Sequence, residues 1–121
     1  PPHVGGLRYH GMAPMLSHLV HHGHVEPRAY GQKECLEAGI QFARTEGIMP
    51  APEATHAIKG AVDEALKCKA EGKSKSILFN LCGHGHFDMQ AYMDYFSGEL
   101  AEDSFDAKAF EESLSAIPAV N

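Results

Sequence analysis

The feature that most constrains this chain is a short apolar run that leads directly into a glycine-rich turn. Residues 76–81 are largely apolar, and Cys82-Gly83-His84-Gly85 follows at once. An apolar run of this length before turn residues is typical of a buried parallel strand. Open α/β sheets bind their ligands at the carboxyl ends of such strands. We therefore predict a buried strand at 76–81 and a ligand-binding turn at 82–85.

Helical patterns dominate the rest of the chain. Apolar residues recur at helical spacing in five segments, 12–22, 32–46, 52–71, 88–96 and 104–116. In the fourth of these, Met89, Tyr92, Met93 and Phe96 are expected to face inward. Residues 25–30 fit either a short strand or an extended loop, because Pro27 disfavours a central strand.

So few strands cannot form an independent sheet, since a two-stranded sheet is marginal alone. We therefore predict the α/β class, with this chain a helix-rich fragment of a three-layer parallel-sheet domain. Residues 1–100 are expected to form the domain segment, and 101–121 an acidic linker with a terminal amphipathic helix. A fragment should expose the apolar faces that its missing neighbours would cover, so self-association is expected.

Composition excludes several classes of partner. The formal net charge is -6, and the ten Lys and Arg residues form no concentrated basic patch, which argues against a nucleic-acid surface. No apolar run approaches the roughly 18 residues needed to span a membrane. The three cysteines are an odd number without framework spacing, which predicts a reducing, cytoplasmic location.

Cys82 is the first candidate for chemistry, and the residues alone leave three interpretations open. It could present its sulfur to a ligand at a strand end, beside glycines that allow close backbone approach and strained backbone angles. It could equally be a buried cysteine in a tight turn. A nearby helix N-terminus could also lower the thiol pKa and make it a nucleophile.

Two further sets of residues carry competing interpretations. Glu53 is either a carboxylate lining a pocket or an ordinary first-turn glutamate stabilised by the helix dipole. His56, three residues on, is either part of that pocket or a hydrogen-bonded structural residue. The nine histidines suggest a metal site, since two pairs have chelating spacing. Those pairs are His18 with His22, and His84 with His86.

Three motifs resemble a known family. Residues 6–11 read Gly-Leu-Arg-Tyr-His-Gly, residues 46–58 contain Glu-Gly-Ile-Met-Pro-Ala-Pro-Glu-Ala-Thr-His-Ala, and residues 80–88 contain Asn-Leu-Cys-Gly-His-Gly. In this order they resemble the C-terminal part of the tryptophan synthase beta chain, and most closely its divergent second group. The resemblance implies a fold-type-II enzyme that uses pyridoxal phosphate to condense L-serine with indole, giving L-tryptophan.

The resemblance also assigns roles to individual residues. It places Cys82 against the pyridine nitrogen of the cofactor, where most beta chains have serine, and Gly83, His84 and Gly85 in the turn around the ring. It places Glu53 beside the ring. Backbone carbonyls of three further residues match positions that bind a monovalent cation. Those residues are Leu7, Tyr9 and Gly11.

Parts of the family pattern are missing from this chain. None of the seven lysines stands in the family's His-Lys-x-Asn context, and no Gly-Gly-Gly-Ser-Asn phosphate loop is present. The resemblance therefore implies an excised piece without catalytic residues of its own. The implied partners are the missing N-terminal part, further copies of the enzyme and an alpha chain.

Other functions remain open at this point. The chain could be a non-catalytic binding or assembly module, with metal held by its histidines. It could come from an enzyme of the same fold that performs another amino acid β-replacement or elimination. A thiol enzyme built on Cys82 is the last alternative.

Overall fold

Five α-helices make up most of the computed structural model, which describes residues 12–100 and 107–115. Their bounds are α1 Pro14–His21, α2 Gln32–Glu46, α3 Pro52–Ala70, α4 Met89–Ser97 and α5 Ala107–Ser115. Four of them fall within the segments predicted from helical spacing, and α4 extends one residue beyond its predicted segment. None of the helices in the described ranges is long and apolar enough to cross a membrane.

Local signals explain where α2 and α3 begin and end. The backbone N–H of Gly31 donates to Glu34 Oε1 at 2.6 Å, which satisfies an amide before the first turn of α2. Gly47 ends α2 with a left-handed φ of 72°, a conformation that glycine adopts without steric cost. Pro52 begins α3, where its missing N–H costs nothing. These signals act within a few residues, so the sequence predicted the bounds of both helices to within one residue.

The core forms where α2 packs against α3 and α4. Its central cluster is Leu36 and Ile40 from α2, Tyr92 from α4, and Leu100 after α4. Leu100 is 3% exposed, so the chain beyond α4 is anchored beside α2. The described part of the molecule is thus a small helical core.

Close packing between α2, α3 and α4 depends on Gly39. A Cβ atom at this position would lie 2.5 Å from Thr55 Cγ2 and 3.0 Å from the Tyr92 hydroxyl oxygen. Thr55 and Tyr92 are both buried, which leaves little room for either to move. Gly39 therefore permits α2 to approach both neighbouring helices.

The predicted buried strand at 76–81 is wrong for the structure of this chain. The segment has no strand pairing, and the side chain of Leu78 is 97% exposed. Phe79 makes an edge-on contact with Phe42, with ring centroids 5.9 Å apart. A strand requires hydrogen bonds to a neighbouring strand. Within residues 12–100 and 107–115 no such neighbour is present, so the parallel sheet is absent there.

The inward face predicted for α4 is also largely wrong. Tyr92 is buried as expected, but Met89, Met93 and Phe96 are 43%, 60% and 65% exposed. Helical spacing identifies an apolar face but does not supply the surface that covers it. The expected exposure of apolar faces is confirmed by these residues and by Leu78.

Two extended segments, one containing Arg28 and the other containing Lys75, are held against α3 by hydrogen bonds between charged side chains. Glu64 of α3 accepts hydrogen bonds from Arg28 and from Lys75, each at 3.3 Å. These hydrogen bonds, from Lys75 first and then Arg28, lower the pKa of the Glu64 carboxyl. Residues 25–30 form no strand, so the interpretation as an extended loop is confirmed and that as a short strand is wrong.

Some predictions lie outside the described residues. These are the Leu7, Tyr9 and Gly11 carbonyls and the structure of residues 1–11, 101–106 and 116–121. The division of the chain at residue 100 stays a prediction.

Replacing Gly39 with Ala should lower the free energy of unfolding by about 1–3 kcal/mol, the usual cost of overpacking a core. Gly60→Ala is the matched control, because a Cβ there would lie 3.7 Å from the Tyr30 hydroxyl, an ordinary contact. The control should raise stability by about 0.4–1 kcal/mol. Chemical denaturation of both variants checks the pair, and equal stabilisation would contradict the close packing at Gly39.

Candidate functional site

The backbone brings the motif at 46–58 directly against the motif at 80–88. The Ala51 N–H donates to the Gly83 carbonyl at 2.9 Å, and the Gly85 N–H donates to the Met49 carbonyl at 2.8 Å. Between them, Pro50 and His84 form an isolated antiparallel bridge. Two segments 34 residues apart in sequence therefore form one local unit, which we call the motif bridge (residues 49–51 and 83–85).

The glycines of the motif bridge allow this close approach. A Cβ on Gly85 would overlap the Pro50 carbonyl oxygen and lie 3.0 Å from Met49 Cγ. A Cβ on Gly83 would lie 3.2 Å from the Ala51 Cβ. Neither glycine has a positive φ. The glycines thus allow close approach between two segments of the chain, while close approach to a ligand stays a prediction and the expected strained backbone angles are wrong.

Tyr92 supports the motif bridge from the core. Its hydroxyl donates a 2.7 Å hydrogen bond to the Pro50 carbonyl, and both residues are buried. Burial, with a smaller contribution from Asp88, raises the pKa of Tyr92 to about 12. The hydroxyl therefore stays protonated and able to donate at neutral pH. Sequence reasoning placed Tyr92 in the core but missed this role, although a buried tyrosine generally needs a partner for its hydroxyl.

Cys82 lies next to the motif bridge and is exposed. The interpretation as a buried cysteine in a tight turn is therefore wrong. Cys35 and Cys68 are the buried cysteines. Burial, with the nearby charge of Glu34, raises the pKa of the Cys35 thiol to about 12. Among the three thiols, only that of Cys82 is open to a ligand.

Glu53 and His56 follow the motif bridge in the first five residues of α3. Glu53 is half-buried and is the second helical residue, two positions after Ala51. His56 Nδ1 lies 3.2 Å from the Pro52 carbonyl oxygen and donates to it when Nδ1 carries the proton. This contact supports the structural interpretation of His56. Glu53 is an acidic residue of the first turn of α3, and its role beside a cofactor stays a prediction.

The histidine pairs come together without forming a metal centre. The ring centroids of His18 and His22 are 4.2 Å apart, and those of His84 and His86 are 4.8 Å apart. His84 Nδ1 accepts a 3.3 Å hydrogen bond from the His86 backbone N–H. Across the part of the chain that the structure describes, no group of three or more His, Cys, Asp or Glu residues could hold a metal ion.

Comparison with known proteins identifies relatives. Tryptophan synthase beta chain 2 of Methanosarcina mazei is 62% identical over 102 residues, covering 83% of this chain and 23% of that protein. The proteins of the same name from Aquifex aeolicus and Thermococcus kodakarensis are 59% and 58% identical over 102 residues. This chain is homologous to part of the tryptophan synthase beta chain. No family model matches it.

The extent of the match is as informative as its identity. The chain spans less than a quarter of the length of these tryptophan synthase beta chains, although the match covers 83–84% of the chain itself. The resemblance seen in the three motifs is thereby confirmed, and the short coverage fits a fragment.

Gly85→Ala should break the motif bridge, because the added methyl group would overlap the Pro50 carbonyl. We expect the free energy of unfolding to fall by about 1–3 kcal/mol and the amides of Ala51 and residue 85 to exchange faster with solvent. Gly83→Ala is the milder control, since its Cβ would meet only the Ala51 methyl group. Hydrogen exchange measured residue by residue separates the two, and an unchanged Ala51 amide in Gly85→Ala would refute the packing described.

Proposed function

We propose that this chain is the C-terminal part of a tryptophan synthase beta-like enzyme. The complete enzyme would condense L-serine with indole to give L-tryptophan, using pyridoxal phosphate. The observation that carries the proposal is the motif bridge, which joins the two matching motifs in a chain 58–62% identical to tryptophan synthase beta chains. The activity belongs to the complete protein, because this chain corresponds to less than a quarter of such relatives.

The residues beside the motif bridge fit one edge of the cofactor. The Cys82 thiol is exposed, and a neutral thiol can make a weak hydrogen bond to a pyridine nitrogen without protonating it. The absence of a Cβ at Gly83 and Gly85 lets the turn lie directly against residues 49–51. Pyridoxal phosphate, when bound, withdraws electrons from the α-carbon of the amino acid substrate. In this proposal Cys82 orients the ring, the turn 83–85 borders it, and Glu53 places a carboxylate beside it.

The remaining chemistry must come from outside this chain. All seven lysines lie outside the motifs 46–58 and 80–88. The lysine that anchors the cofactor and the loop that binds its phosphate would therefore be supplied by the missing N-terminal part. We further propose a homo-oligomer, an alpha-chain partner and a monovalent cation at Leu7, Tyr9 and Gly11, all on the strength of the resemblance.

The exposed segment 76–81 supports the idea of a missing sheet. Its apolar side chains include Leu78 at 97% exposure, and a groove of about 440 Å³ runs between this segment and the small residues Ala57, Gly60 and Ala61 of α3. Apolar surface of this kind is usually covered. In the complete domain we infer that 76–81 becomes a strand of a parallel sheet, which would place Cys82 at its carboxyl end.

Pyridoxal phosphate should protect Cys82 from alkylation in the full-length protein. We expect iodoacetamide to label Cys82 at least about tenfold more slowly in the holoprotein than in the apoprotein, because the ring would cover the thiol. Cys35 and Cys68 are buried internal controls that should stay unlabelled in both forms. Peptide mass spectrometry gives the rates. Equal labelling of Cys82 with the cofactor demonstrably bound would remove Cys82 from the site.

Side-chain replacement at Cys82 tests the activity itself. In the full-length protein, Cys82→Ser should retain tryptophan formation from serine and indole, since a hydroxyl donates a better hydrogen bond to the same nitrogen. Cys82→Ala should lose about 3–10-fold in kcat/KM, the equivalent of one neutral hydrogen bond. No tryptophan formation by the cofactor-loaded wild type would refute the proposed reaction and favour another β-replacement or elimination, or a binding role.

A further inference from the structure

A cleft between α2 and α4 lacks a covering element. It has a volume of about 560 Å³, and its lining includes Ile40 and Arg44 from α2 with Tyr95 and Phe96 from α4. Phe96 is 65% exposed, although its neighbour Tyr95 packs against the core cluster. The cleft therefore continues the core outward and leaves an aromatic surface in contact with solvent.

The helix α5 lacks a covering element as well. Every α5 residue whose burial the structure describes is exposed, including Leu114 at 48%. Helical geometry places positions 107, 110 and 114 on one face, with Glu111 at its margin. A helix of nine residues is too short to persist alone in water, because isolated helices below about 12–15 residues are marginal. A stable α5 therefore requires a surface to pack against.

The chain connection places the cleft within reach of α5. Leu100 is buried in the same cluster as Ile40, so the chain leaves the core beside the cleft. Six residues, 101–106, separate Leu100 from Ala107. Fully extended, they span up to about 20 Å. A connection of six residues keeps α5 near Leu100, which favours a contact within one chain.

Charge supports the same pairing. Arg44, in the last turn of α2, lines the cleft together with Glu37 of the same helix, and Glu111 borders the apolar face of α5. Packing that face into the cleft allows the carboxylate of Glu111 to approach the Arg44 guanidinium.

We propose that α5 docks into the α2–α4 cleft of its own chain, with Leu114 against Phe96 and Glu111 facing Arg44. In this arrangement α5 is a C-terminal clasp that covers Phe96 and holds α4 against α2. Because Tyr92 of α4 donates to the Pro50 carbonyl, the clasp also stabilises the motif bridge. The proposal does not depend on the proposed enzymatic activity.

Hydrogen–deuterium exchange of the full-length protein tests the clasp directly. We expect α5 amides to be protected in the wild type and to exchange at least about tenfold faster in Phe96→Ser and in Leu114→Ser. Met93→Ser is the matched control, since Met93 is 60% exposed on the same helix but does not line the cleft. It should leave α5 protection unchanged. Arg44→Glu should also speed exchange, and adding Glu111→Arg should restore protection.

Each contrary outcome overturns the proposal. Unprotected α5 amides in the wild type would show that α5 does not dock. Protection that falls on dilution would assign the cleft to α5 of a second copy. Protection lost in Leu114→Ser but kept in Phe96→Ser and Arg44→Glu would place α5 on a different surface.

Discussion

The described structure depends on the hydrogen bond from the Tyr92 hydroxyl to the Pro50 carbonyl. This contact joins α4 to the segment that begins α3, and the same segment pairs with the turn at 83–85. A buried carbonyl without a partner costs about 1–3 kcal/mol. Tyr92 removes that cost for Pro50 while filling the core beside Leu36 and Ile40. One side chain thus couples the helical core to the candidate site.

The candidate site of this chain consists of the motif bridge and two side chains near it in sequence. These are the exposed Cys82 thiol and the half-buried Glu53. The lysines of the chain lie outside the motifs 46–58 and 80–88. The apolar segment 76–81 is largely exposed to solvent. A core completed between two parts of a protein exposes surface of this kind when one part is taken alone. The match of this chain to less than a quarter of the tryptophan synthase beta chain fits the exposed apolar surface.

Two exposed apolar surfaces, at Leu78 and at Phe96, differ in what could cover them. Leu78 lies on an extended segment whose backbone has no strand partner within the described residues. Other parts of a complete domain could cover this side chain. Phe96 lies on α4 beside a cleft that α5 can reach through six residues. The first surface would then be completed by other parts of the protein, and the second by the chain itself.

Helices and their ends were predictable from sequence because their signals are local. Gly47 ends α2 and Pro52 begins α3 through backbone geometry that needs no distant partner. The motifs likewise indicated the resemblance to the tryptophan synthase beta chain, because residue identities alone carry it. Tertiary structure alone decided that 76–81 stays unpaired, that Phe96 remains exposed, and that Tyr92 holds Pro50. A strand, a buried face and a long-range hydrogen bond each require a second surface, and a sequence pattern does not state whether that surface is present.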